Sequence, residues 1–137
     1  MKYTAIDLFC GAGGLSAGLE MAGFTVLAGN DLFDAAGATF SATHPHAKFM
    51  GGPIQELTVE RLMQVTGLKR GELTVLVGGP PCQAYSLIGR VRTGGLDPKD
   101  KRVSLYTHYK DIVGKYKPAV FVMENVKGLL SARNEGQ

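Results

Sequence analysis

A doubly wound α/β fold with a mostly parallel sheet follows from three features of the sequence. Five short apolar runs alternate with four segments of helical period between residues 3 and 123, each run is bounded by Gly, Pro, Asn or Asp, and a glycine turn follows the first run at once. Parallel strands need a crossover between them, and helices in the crossovers cover both faces of the sheet. A chain of 137 residues has room for one such domain, expected to span residues 1–137.

The first strand covers residues 3–9 and stops at Gly11-Ala12-Gly13-Gly14. Leu15, Leu19 and Ala22 then recur at helical spacing until Gly23. Residues 25–29 form the second strand, halted by Asn30-Asp31, and 33–43 the second helix, which ends before Pro45. A weak third strand at 47–50 leads to Gly51-Gly52-Pro53. Residues 58–65 read as the third helix, with Thr58 as N-cap and Gly67 as stop. The apolar run 73–77 is the fourth strand. Residues 80–102 show no period, contain Gly89, Gly94, Gly95 and Pro98, and exceed the length of an ordinary connector. A fourth helix at 105–116 and a fifth strand at 119–123 complete the pattern.

The composition, 45% hydrophobic and 20% charged, is that of a folded domain. No apolar stretch reaches the ~18 residues a bilayer requires, and Met1-Lys2 leads directly into a strand, so a cytoplasmic protein without a membrane partner is expected, nucleoid-associated in a prokaryote. Cys10 and Cys82 lack the spacing of a zinc site, and no metal is expected. Between residues 88 and 102, five basic side chains outnumber two acidic ones, which accounts for the whole net charge of +3.

Three places carry chemistry. The glycine turn brings backbone close to a ligand at a helix N-terminus, where unpaired N–H groups favour a negative group. Ser16 stands where a dinucleotide fingerprint requires its third glycine, so that motif is not met. Asp31, at the end of the second strand, suits both hydroxyls of a ribose, and Phe9 and Leu32 flank the same crevice. In Gly78-Gly79-Pro80-Pro81-Cys82-Gln83, the paired prolines stiffen a turn that presents a thiol at a strand's carboxyl end. Glu124, ending the fifth strand, lies on that same edge. If buried there, it is expected to keep its proton near neutral pH and to donate it to a substrate. Cys10 has no acid or base partner in the pattern and reads as a packed residue.

The blocks from Asp7 to Leu15, from Gly79 to Gln83 and from Met123 to Val126 together resemble, in order and spacing, signature blocks of the cytosine-5 DNA methyltransferases. The resemblance implies the Rossmann-like sheet of S-adenosylmethionine-dependent methyltransferases and an enzyme that transfers a methyl group to C5 of a cytosine flipped out of DNA. It implies Cys82 as the nucleophile at C6 and Glu124 as the group at N3. Phe9, Gly11, Gly13, Gly14, Leu15, Asp31, Leu32, Ile54 and the backbone of Pro80 are implied on the cofactor side. The segment after Cys82 is similar to the family's mobile catalytic loop, which implies Gln83, Ser86, Arg90, Arg92 and Arg102 on the DNA side, and restriction-modification as the setting.

Asp31 stands where the family more often has Glu, and Pro53 where it often has an Asp for the adenine amino group. The sequence ends before the family's later arginine block, target-recognition region and C-terminal helix. The fold is therefore expected to be incomplete at its C-terminus, and the chain inactive alone until a missing C-terminal region or a second subunit completes it. Two other readings share these residues: a methyltransferase of RNA (tRNA) cytosine, and a non-catalytic cofactor-binding or assembly module.

Overall fold

The computed structural model describes residues 2–81 and 105–127. In chain order these form β1 (Thr4–Leu8), α1 (Gly14–Met21), β2 (Thr25–Asp31), α2 (Asp34–Thr43), β3 (Lys48–Gly51), a 3₁₀ turn (Ile54–Glu56), α3 (Val59–Thr66), β4 (Val75–Gly78), α4 (Leu105–Tyr116) and β5 (Val120–Met123). The strands make one sheet in the order β3-β2-β1-β4-β5, and every pairing is parallel. The winding direction reverses between β1 and β4, and a crevice outside the carboxyl ends of strands at such a switch point is where open α/β sheets bind ligands.

β1 lies at the centre because its side chains suit burial on both faces. Ile6 and Leu8 pack with Leu62 of α3, Leu76 of β4, and Tyr109 and Tyr116 of α4. Ala5 packs in the opposite layer with Val26, Val75, Val77 and Phe40 of α2. A register shift pairs Ala5 with Val26 but Ile6 with Ala28, so β2 steps past one residue and still sends its small side chains to the matching layers.

The expected elements are present, with three differences. β2 continues through Asn30 and Asp31, because these pair with Met50 and Gly51 of β3 and the ladder outweighs their turn preference. The Asn30 amide adds bonds to the carbonyls of Met50 and Gly52, at 2.7 and 3.1 Å. The 3₁₀ turn after Pro53 had no period to announce it, and it sinks Ile54 into the core. β5 lies at the sheet edge, with Val120, Phe121 and Val122 each about half exposed. As expected, Thr58 caps α3 by accepting the Arg61 N–H at 3.1 Å, and Gly67 closes it at φ 72°. Among the described residues, no helix is long and apolar enough to cross a membrane.

Candidate functional site

The glycine turn between β1 and α1 is held from behind by side chains of other elements. Oδ2 of Asp31, at the end of β2, accepts the Gly11 N–H at 2.9 Å, and Oδ1 accepts the Phe33 N–H at 3.0 Å. Each oxygen keeps acceptor capacity for another donor. Phe9 has φ 58°, uncommon for an aromatic residue, and turns the chain out of β1. Gly13, at φ 95°, has to be glycine for a second reason: a Cβ there would overlap the His44 ring.

Asp7 reaches from β1 under the first turn of α1, where Ser16 Oγ donates to its Oδ2 at 2.7 Å. The carboxylate therefore serves the N-terminus of α1 from outside the helix, a place that favours negative charge. It is fully buried, and its Oδ1 has no partner among the described residues. Burial pushes the carboxyl up to about 6, against the pull of its bonds from Ser16. Cys10 is also buried, and burial, followed by the nearby Asp7 and Asp31 carboxylates, pushes its thiol up to about 12. A thiol so held is inert, which agrees with reading Cys10 as packing.

In front of the turn is a cavity of about 440 Å³ spanning the carboxyl ends of β1 to β4. Phe9, Leu32, Phe33 and Ile54 give it apolar walls, Asp31 a carboxylate, and Gly79 a backbone edge. Four residues expected on a cofactor, Phe9, Asp31, Leu32 and Ile54, thus meet in one space. Gly11, Gly13, Gly14 and Leu15 build the turn and the start of α1 but do not line the cavity. Neither does Pro80, which is buried with its carbonyl accepting from the Asn125 amide at 3.3 Å. A larger hollow of about 540 Å³ between β3 and α3 is lined by none of the expected site residues.

At the other corner, the Glu124 N–H donates to the Gly78 carbonyl at 2.9 Å, one step beyond the β4–β5 ladder. A Cβ on Gly79 would stand 3.1 Å from Glu124 Oε2, so the carboxylate lies against the backbone that leads into Pro80-Pro81-Cys82. Among the described residues Glu124 is exposed, at the end of the edge strand β5, so the burial on which its retained proton was made conditional is not met there. Cys82, Gln83, Ser86, Arg90, Arg92 and Arg102 lie outside the described residues.

One acidic side chain, Asp31, in a mostly apolar cavity beside a glycine turn at the switch point leaves several cofactors open, and comparison with known proteins decides the family. Residues 3–137 match the C-5 cytosine-specific DNA methylase domain. The chain belongs to that family. It is 40% identical over 126 residues to the type II methyltransferase M.AgeI of Thalassovita gelatinovora, covering 92% of this chain and 28% of that protein. It is 40% identical over 128 residues to M.XorII of Xanthomonas oryzae, covering 93% and 29%. An E. coli prophage protein described as a DNA modification methyltransferase superposes with a TM-score of 0.77 at 29% identity, over 94% of this chain and 33% of its own. The chain therefore spans less than a third of the length of either curated relative.

For this methylase-family domain, reading the sequence missed Asp7, His44, Asn30 and Phe33 as parts of the site. Asp7 had a signal, a charge inside an otherwise apolar strand, and Asn30 a weaker one at a strand end. His44 and Phe33 had none, because the first acts through a turn more than thirty residues away and the second is an exposed aromatic beside Leu32.

Proposed function

We propose that this chain carries the S-adenosylmethionine-binding and nucleophile-bearing portion of an enzyme that methylates C5 of cytosine in double-stranded DNA. What carries the reading is the convergence at one sheet edge. Phe9, Asp31, Leu32 and Ile54 line a single cavity, and Gly79, which also lines it, lies against Glu124 at the entrance to Pro80-Pro81-Cys82.

The residues suit the cofactor by chemistry as well as by place. Apolar walls from Phe9, Leu32 and Ile54 fit a purine, Asp31 retains lone pairs for ribose hydroxyls, and the amides of Gly14 and Leu15, which have no intrahelical partner, fit a carboxylate. The bound cofactor supplies an electrophilic methyl group. Cys82, as thiolate, forms a bond to C6 of the flipped base, while Glu124, carrying a proton, donates it to N3 and so takes up the charge that develops in the ring. C5 then bonds the methyl group and leaves S-adenosylhomocysteine, N3 returns its proton to Glu124, and loss of the C5 proton to solvent with expulsion of the Cys82 thiolate restores the aromatic ring. The excess of basic residues between 88 and 102 supports phosphate contacts near Cys82.

The test is covalent capture by the full protein. With 5-fluorocytosine in duplex DNA, fluorine replaces the proton that must leave, so the adduct should accumulate in the presence of S-adenosylmethionine and map to Cys82. Undiminished capture by Cys82→Ser overturns the assignment. Methyl transfer to total tRNA but not to duplex DNA overturns the choice of substrate.

A further inference from the structure

His44 makes two contacts that the proposed chemistry does not use. It closes α2, is 3% exposed and stacks against Phe40 with ring centroids 4.9 Å apart. Its Nδ1 lies 2.9 Å from Oε2 of Glu20 on α1, and its Nε2 lies 3.1 Å from the carbonyl oxygen of Gly13. Both neighbours are acceptors. The ring thus spans two acceptors on different elements, with Nε2 facing the Gly13 carbonyl and Nδ1 facing the Glu20 carboxylate. The Gly13 carbonyl also accepts the Ala17 N–H at 2.8 Å, the first bond of α1. One oxygen thus joins the glycine turn, the helix start and the histidine.

We propose that Glu20 and His44 act as a pair of positioning residues. Glu20 holds the ring at Nδ1, and His44 fixes the Gly13 carbonyl from Nε2, which sets the direction of the Gly14 and Leu15 amides. This rests on the reading that those amides receive the amino-acid end of S-adenosylmethionine. Glu20 does not line the cavity and its side chain is 38% exposed, yet through His44 it helps to set how one end of the ligand is held. The other end, over Phe9, Leu32 and Asp31, does not depend on it.

His44→Phe separates this role from folding. The ring keeps its place against Phe40 but offers no N–H, so the bond to Gly13 is lost while the aromatic packing stays. In the full protein, the variant should melt close to the parent. By calorimetry, S-adenosylhomocysteine should bind about tenfold more weakly, and methylthioadenosine, which lacks the amino-acid end, should bind within about twofold of the parent. Amide exchange over residues 13–16 should quicken about tenfold without any ligand. His44→Ala should show the same selective loss, together with a lower melting temperature. Glu20→Gln, whose amide can donate to Nδ1 while Nε2–H donates to Gly13, should bind both ligands as the parent does. Equal weakening of both ligands, or unchanged exchange, in His44→Phe overturns the proposal. If the parent protein binds neither ligand, the cofactor reading fails, and exchange alone still decides whether the pair holds the turn.

Discussion

At the β1–α1 corner, side chains from three elements grip one turn: Asp7 of β1 bonds Ser16, Asp31 of β2 takes the Gly11 N–H, and His44 at the end of α2 holds the Gly13 carbonyl. At the β4–β5 corner, the Glu124 amide meets Gly78, and the Asn125 amide reaches the Pro80 carbonyl at 3.3 Å. Glu124 itself is exposed and β5 is half bare. The first corner has fixed its backbone before any ligand arrives, which spares a ligand the cost of ordering it. The second has fixed its strand ends, and its carboxylate is open among the described residues. Under the proposed function, the small cofactor meets the preformed cradle of the first corner.

Substitution at Gly13 should break the first corner with the largest effect. Alanine there takes a φ of 95° that its Cβ disfavours, and the Cβ also overlaps a buried ring wedged between Phe40 and α1. The combined strain and displacement should cost about 3 kcal/mol or more of stability in urea unfolding and remove measurable S-adenosylhomocysteine binding. Gly14→Ala is the control, because nothing lies within 4 Å of a Cβ at that position and it begins a helix. Equal losses at Gly13 and Gly14 would mean that the turn is not held as described.

Asp7 tests whether the grip itself carries a cost. Its carboxyl rises from 3.8 to about 6 on folding, so the folded chain holds a proton there more tightly than the unfolded chain does. The favourable contribution of the protonated form is complete below pH 4 and is lost as pH rises through 6, by up to about 3 kcal/mol. Asp7→Asn cannot ionise, so its stability relative to the parent should climb over that interval and then level off. Unfolding curves of both proteins at pH 4, 5, 6 and 7.5 would measure this. A difference that stays flat with pH would mean that Oδ1 has a partner and the carboxylate is comfortable.

What the sequence made legible, and what it concealed, divides along the same line. The five strands could be read because parallel strands buried on both faces are continuous apolar runs, as in Val75–Gly78, and the turns because Gly and Pro punctuate them. Phe9, Asp31, Leu32 and Ile54 were identified as a set and do share one cavity. Asp7 and His44 were not identified as its supports, because their partners, Ser16 and Gly13, become neighbours only once β1, α1 and α2 are assembled. The exposure of Glu124 was hidden for a similar reason. An apolar strand such as Val120–Met123 reads as interior, and only the order of strands shows that β5 is at the edge.

Within the second corner, Tyr109 of α4 is the side chain that spans both strands. Its hydroxyl lies 3.0 Å from the Leu76 carbonyl of β4 and 2.9 Å from the Val122 carbonyl of β5. Tyr109→Phe keeps the ring in the core and removes only that clasp, so it should cost roughly 1 to 2 kcal/mol in urea unfolding. Methyl transfer should fall more than S-adenosylhomocysteine affinity does, because the strand ends that lead to Cys82 and Glu124 lose a brace while Phe9 and Asp31 do not. A larger fall in affinity than in turnover would show that the two corners are coupled rather than separate.

The smallest effect is expected on the bare face of β5, and it examines whether that half is open at all. Phe121 is 57% exposed, between Val120 and Val122 on the strand at the edge of the described sheet. Lysine is a common guard on such edges, since a charge there opposes pairing with a second chain. In a protein of these residues alone, Phe121→Lys should change unfolding stability by no more than about 0.5 kcal/mol, because little packing is lost at an exposed position. Sedimentation over a concentration series should show less self-association in the variant than in the parent. A loss well above 1 kcal/mol would mean that the Phe121 side chain is packed in solution, and that the β4–β5 corner is as closed as the turn across the sheet from it.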